Sequence, residues 1–138
     1  MQVFTELPED VAFDIEIKMT PPDPEPCPPP EEVARQLDAI LAVVDGGLAA
    51  APRRRLLFSS FCPEVCAELK RRRPEFAVMF LSGGGAYPHV DPRRTSVTAA
   101  VDFAASAGLQ GIILESAALR VQPHMIEVAR GRGLQVGD

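Results

Sequence analysis

A chain of 138 residues, 46% hydrophobic and 24% charged, with a net charge of -5 and a pI near 5.0, is long enough for one domain with a real core. Its composition is too ordinary for wholesale disorder, its acidic balance speaks against a general nucleic-acid binder, and no apolar run approaches the ~20 residues a membrane helix needs. The amino terminus, Met1 to Glu6, lacks the basic start and apolar core of a signal peptide, so a cytoplasmic chain without a membrane span is expected.

Taken in order, residues 1–10 are acidic, carry Pro8, and read as a lead-in whose own partner lies upstream of Met1. From Val11 to Lys18, Phe13, Ile15 and Ile17 alternate with Asp14, Glu16 and Lys18, the period of a strand with unlike faces. One face is apolar; the other is acid, acid, base. Either this is an edge strand with a solvated polar face, or the carboxylate and the ammonium act together on a ligand that needs a divalent cation and a positive charge. A metal-bound phosphate ester is such a ligand. Seven prolines among residues 21–30 rule out helix or central strand and leave an extended connection, either a stiff loop or a docking peptide.

Val33, Leu37, Ile40, Leu41 and Val44 fall at helical spacing over 31–44, with Gly46-Gly47 at the end. Residues 55–61 predict a buried strand ending in Ser59-Ser60-Phe61. Pro63 opens a helix to Arg72, with Val65, Cys66 and Leu69 inward and basic residues in its last turn. After Pro74, residues 76–81 form another all-apolar strand, which runs into Ser82-Gly83-Gly84-Gly85 and a polar loop from Tyr87 to Arg94. Thr95 or Ser96 caps a helix carrying Val97, Ala100, Val101 and Ala104, and Gly108 closes it. A strand over 109–114 is followed by Glu115-Ser116 and a helix over 123–130, and residues 133–138 begin a fifth strand.

The basic clusters Arg53-Arg54-Arg55 and Lys70-Arg71-Arg72-Arg73 sit at element boundaries, where solvated end-of-helix charge is expected. Three cysteines, an odd number without framework spacing, predict no disulfide scaffold and fit a reducing compartment. Cys62 and Cys66, four apart, would share a helix face, but no paired histidine or second cysteine pair accompanies them as a metal site requires.

Apolar strands alternating with amphipathic helices predict an α/β fold with a parallel sheet and right-handed crossovers. It is either an open doubly wound sheet or part of a closed eight-stranded barrel. Polar or glycine-rich residues follow the carboxyl ends of the strands, where both architectures place ligands.

Phe13-Asp14-Ile15-Glu16-Ile17-Lys18, then Arg54-Arg55-Leu56-Leu57-Phe58-Ser59-Ser60-Phe61-Cys62-Pro63, then Phe80-Leu81-Ser82-Gly83-Gly84 with Asp91-Pro92-Arg93 downstream resemble the later portion of a glycerophosphodiester phosphodiesterase domain. The flavour is that of the eukaryotic glycerophosphocholine phosphodiesterase subgroup, over about Val11 to Val136. The resemblance implies part of a TIM barrel, a single partial domain over 1–138 supplying five strands. It implies a site that binds one divalent metal, Mg²⁺ or Ca²⁺, and hydrolyses a glycerophosphodiester to glycerol 3-phosphate and an alcohol. By position, Glu16 would be a metal ligand and Lys18 a contact to the substrate phosphate, with Ser60 and Phe61 lining the site. A hard cation takes carboxylate oxygen, and a metal with an ammonium stabilises charge growing on phosphoryl oxygens.

The family's His-Arg-Gly strand, Glu-x-Asp strand and His-Asp pair have no counterpart in this sequence. His89 and His124 match neither histidine and read as a loop or substrate-side residue and a surface residue near a helix start. No residue takes a catalytic step, and the missing proton transfer is worth ~10²–10⁴ in rate. A fragment or incomplete gene model of a larger enzyme is therefore expected, inactive alone and prone to self-association through open barrel edges. Two other readings stand beside it. One is a degenerate barrel that binds phosphate ligands or a protein without turnover. The other is an unrelated doubly wound domain with Gly83-Gly84-Gly85 as a phosphate loop, although Tyr87-Pro88-His89 follows those glycines where a helix start belongs.

Overall fold

The computed structural model describes residues 2–19 and 27–138. The docking-peptide and stiff-loop readings of the proline run fall largely outside the described residues, which resume at Cys27. The order is α1 (Gln2–Glu6), β1 (Phe13–Glu16), α2 (Pro30–Ala50), β2 (Leu56–Ser60), α3 (Pro63–Arg72) and β3 (Ala77–Ser82). A short 3-10 turn (Pro92–Arg94), α4 (Val97–Ser106), β4 (Gly111–Leu114), α5 (Ser116–Val121), α6 (His124–Gly131) and β5 (Gln135–Gly137) follow.

All neighbouring strands are parallel, and their order in the sheet is their order in the chain, β1-β2-β3-β4-β5. Right-handed crossovers that always step in one direction carry every crossover helix to the same face. A doubly wound sheet reverses direction to cover both faces. The observed order is thus that of an open segment of barrel wall, with helices outside and the opposite face lining the interior.

On the helix side, Phe58, Phe80 and Ile112 are fully buried against Leu37 of α2, Leu69 of α3 and Val101 of α4. The strands supply alternate residues and the helices every third or fourth, the two periods expected of a sheet packed on one helical layer. At roughly 2 kcal/mol for each large side chain removed from water, this layer is the main source of stability. On the interior side the register sets Glu16, Ser59, Met79, Gly111 and Gln135 in one row across the sheet.

Several boundaries differ from expectation for identifiable reasons. Helix α2 runs through Gly46-Gly47 to Ala50. Gly47 does not stop it; a Cβ there would lie 2.6 Å from the ring of Phe4, so the glycine makes room for α1. Residues 2–10 therefore find their partner within this chain, and Phe4 also meets Phe13 edge-on at 5.4 Å between centroids. Arg54 is not a solvated helix-end charge. It is 4% exposed, donates to the carbonyls of Phe4, Leu7, Pro8 and Val11, and stacks 4.3 Å from the Phe13 ring centroid. Those carbonyls come from the carboxyl end of α1 and the turn after it, where backbone oxygens lack helical partners and a cation is favoured.

The second basic cluster does end a helix, but it is paired. Arg72 reaches Asp38 at 2.6 Å and Arg73 reaches Asp45 at 2.8 Å, tying the end of α3 to α2. Helix α6 matches the expected 123–130, and α5 is an additional short helix before it. Pro123 separates them, since it lacks the amide a continuous helix would use. No described helix is long and apolar enough to cross a membrane.

Candidate functional site

The carboxyl ends of the strands gather the polar groups. On β1, Asp14 and Glu16 project from the interior face. The hydroxyl of Ser59 donates to Asp14 at 2.9 Å, and Lys18 pairs with Glu16 at 3.1 Å. Lys18 is 79% exposed and Glu16 33%, so both stand at the open rim, available to a ligand. Alternation along the strand separates them from Ile17, which is 4% exposed in the core.

Ser60 is placed differently from Glu16 and Lys18. Its hydroxyl donates to the Ile17 carbonyl at 2.7 Å and accepts from the Cys62 amide at 3.1 Å, and the residue is buried. Its hydrogen bonds go to backbone, fixing the exits of β1 and β2 next to each other. The hydroxyl sharing the row of Glu16 is that of Ser59, which strand alternation within Ser59-Ser60 identifies. Phe61 follows β2 on the Ser59 side, 42% exposed, with the Arg94 guanidinium 5.1 Å from its ring centroid.

A serine at the end of β3 repeats the device. Ser82 accepts from the Gly84 amide at 3.1 Å, and Gly84 and Gly85 take φ of 59° and 91°, left-handed values that favour glycine. The chain then turns under Tyr87, whose phenol pKa is raised by the Glu115 carboxylate beyond β4. The triglycine leads into this turn rather than into a helix amino end, so it makes no phosphate loop. Downstream, Asp91 caps the 3-10 turn by accepting from the Arg93 amide at 2.9 Å, and the Arg93 side chain bridges Asp91 at 2.6 Å and Glu64 at 2.5 Å. Burial pushes the Asp91 carboxyl up, but the Arg93 side chain and amide outweigh it and hold it below the usual range. His89 Nδ1 accepts from the Asp91 amide at 2.9 Å, and its Nε2 lies 2.6 Å from Arg94. His89 thus organises this loop, and His124 is exposed at the start of α6. Arg94 carries the loop onto Phe61; the sequence signal for its placement is Asp91-Pro92-Arg93, a cap followed by a turn.

Among the described residues, Glu16 belongs to no group of three His, Cys, Asp or Glu donors close enough to share an ion. A hard divalent cation takes six or more oxygens, several from carboxylates. By themselves these residues do not fit such a cation, and Glu16 offers it one ligand. The grouping that does occur is Cys27, Cys62 and Glu64, with ligand atoms within 4.8 Å. Its two sulfurs are joined as a disulfide, contrary to the expectation from an odd cysteine count, and Cys66 remains a buried free thiol. Cys62 and Cys66 thus form no metal pair, and the cysteines do not argue for a reducing compartment.

The family model for the glycerophosphoryl diester phosphodiesterase family matches residues 1–137. The chain is 31% identical over 137 residues to a glycerophosphocholine phosphodiesterase of Eremothecium gossypii, covering 96% of this chain and 10% of that protein. It is 30% identical over 148 residues to a glycerophosphocholine phosphodiesterase of Homo sapiens, covering 97% and 21%. In structure it is similar to a glycerophosphodiester phosphodiesterase from Parabacteroides distasonis, with a TM-score of 0.57 at 18% identity, covering 91% of this chain and 42% of that one. The chain thus spans a tenth to a fifth of these curated relatives, and its open sheet is part of a TIM barrel. The match over nearly every residue makes it a member of the glycerophosphoryl diester phosphodiesterase family.

Proposed function

We propose that these 138 residues serve as one partial barrel domain of an enzyme for metal-dependent hydrolysis of glycerophosphodiesters, such as glycerophosphocholine, to glycerol 3-phosphate and an alcohol. The observation that carries this is the Glu16–Lys18 pair at the open rim of the interior face. In this proposal Glu16 contributes one oxygen ligand to Mg²⁺ or Ca²⁺ and Lys18 contacts the substrate phosphate, countering charge that grows on its oxygens. Phe61 lines the same rim. Ser60 acts as a positioning residue, holding the exits of β1 and β2 on which Lys18 and Phe61 stand. The enzyme works in the cytoplasm, in glycerophospholipid catabolism.

The chain alone has no measurable turnover, since the described residues supply one carboxylate ligand and no positioned acid or base, leaving the cation unheld and ~10²–10⁴ in rate unsupplied. It also self-associates. The edge of β1 is unpaired among the described strands, and beside it an apolar hollow of about 810 Å³ is lined by Val3, Leu7, Phe13, Ile15, Ile40 and Val43.

A non-catalytic binder is the second reading, and the observation favouring it is that Glu16 is engaged by Lys18 and, among the described residues, is not gathered with other metal-ligating carboxylates. Calorimetric titration of the purified chain with glycerophosphocholine, followed by assay for glycerol 3-phosphate, separates the two. An enzyme part lacking its remaining site takes up little ligand and releases nothing, whereas a binder takes up the diester intact. Release of glycerol 3-phosphate that Glu16→Gln abolishes would overturn the inactivity proposed for the chain alone.

A further inference from the structure

The Cys27–Cys62 bond lies at the edge of the core, beside the rim where chemistry is expected, with Cys62 buried in the core and Cys27 packed against it. It joins the residues just before α2 to the residue capping α3, with a Cα separation of 5.8 Å across 35 positions. Cys62 directly follows Phe61, and its amide is held by Ser60, the serine that also fixes Ile17 at the exit of β1. The largest buried side chains of the wall, Leu37, Phe58, Leu69 and Phe80, come from α2, β2, α3 and β3 themselves.

We infer that Cys27–Cys62 is a reversible thiol–disulfide switch, reduced by a cellular dithiol, that sets how firmly Phe61 and the first turn of α3 are held at the site rim.

The two sulfurs are unequal in a way that gives the exchange a direction. Cys27 is half-buried and Cys62 is 6% exposed, so the Cys27 side of the bond is the more open to an incoming thiolate. Attack there forms a mixed disulfide between the reductant and Cys27 and breaks the Cys27–Cys62 bond, the electron pair leaving on Cys62. That thiolate emerges at the amino end of α3, a ten-residue helix whose dipole favours negative charge and makes Cys62 the better leaving group. Glu64, 3.7 Å from the Cys62 sulfur, opposes this, but its carboxylate is held by Arg93 at 2.5 Å. The second thiol of the dithiol then attacks its own sulfur in the mixed disulfide, releasing Cys27. The protein gains two electrons and two protons, and the dithiol leaves as a cyclic disulfide.

Cys66 does not compete, although it is only four residues away. Its thiol donates to the carbonyls of Ser60 and Met79, and burial, with the charge of Glu64, pushes its pKa up to about 12. Any effect on a phosphodiester ligand rests on the function proposed above, whereas the switch itself does not.

The test uses the whole chain under native conditions. After incubation with dithiothreitol, alkylation read by mass spectrometry is expected to label Cys27 and Cys62 together and leave Cys66 unlabelled. Amide exchange over 59–64 should accelerate at least ~10-fold while β3 is unchanged, as for a local opening. Cys27→Ser should show the fast exchange with or without dithiol, and Cys66→Ser should respond as the unsubstituted chain does. A bond that yields only when the chain is unfolded would overturn the switch, as would reduction that leaves exchange over 59–64 unchanged. Neither readout involves a phosphodiester, so failure here is distinct from failure of the proposed hydrolysis.

Discussion

Two cations at opposite ends of the sheet show how differently the same kind of group is used. Arg54, before β2, is 4% exposed and bound to four backbone carbonyls. Lys18, beyond β1, is 79% exposed and touches one carboxylate. The first closes the fold by capping the carbonyls at the end of α1 and in the turn after it. The second contributes almost nothing to the fold and is free to meet a ligand. In barrels of this class the amino ends carry stability and the carboxyl ends carry chemistry, and the two cations stand at those two ends.

Arg54→Ala should break the stabilising side of this contrast most severely. It takes the Arg54 donor from the buried Phe4 carbonyl and from the part-buried Leu7 and Val11 carbonyls and removes the stacking on Phe13, at a cost of about 3 kcal/mol in urea-unfolding free energy. Hydrogen exchange should locate the loss at residues 2–13. Arg54→Lys should recover only part, because an ammonium cannot span the same carbonyls as a planar fork. Ser60→Ala is next. It deprives the Cys62 amide and the Ile17 carbonyl of their shared hydroxyl and should cost roughly 1–2 kcal/mol.

Acid should titrate a smaller effect. Hydrogen bonds from Arg71, reinforced by Arg72, hold Glu68 at about 2 against an ordinary value of 4.5. A depressed carboxylate stabilises the fold above its unfolded pKa, and that contribution disappears as pH falls from about 4.5 towards 2. The stability difference between the unsubstituted chain and Glu68→Gln should therefore be present at neutral pH, below ~1 kcal/mol for so exposed a pair, and vanish in acid. Lys18→Ala closes the series, with stability unchanged within ~0.5 kcal/mol because an exposed ion pair is worth little. A large loss there would erase the contrast with Arg54.

The distinction was half legible in the sequence. Alternation put Glu16 and Lys18 on one face of a strand, because a period of two is a local property of five or six residues. Apolar runs bounded by Pro63, Pro74 and Gly108 located β2, β3 and the helices around them for the same reason. Arg54 could not be read, since its partners lie 43 to 50 positions away and it sits among other arginines that are exposed. Cys27 and Cys62 met only when α2 and α3 packed side by side. The choice between barrel wall and doubly wound sheet depended on the direction of each crossover, which local periodicity does not encode and strand order does.

The role proposed for the rim of β1 is that of one part of a phosphodiester site. Its most direct test replaces the matching segment of the Eremothecium gossypii relative with Val11–Val136 of this chain and measures glycerol 3-phosphate released from glycerophosphocholine. A chimera that unfolds like its parent should turn over, and Lys18→Ala or Glu16→Gln within it should each lower kcat/KM by ~10²-fold or more without changing its unfolding. A folded, active chimera indifferent to both substitutions would contradict the account.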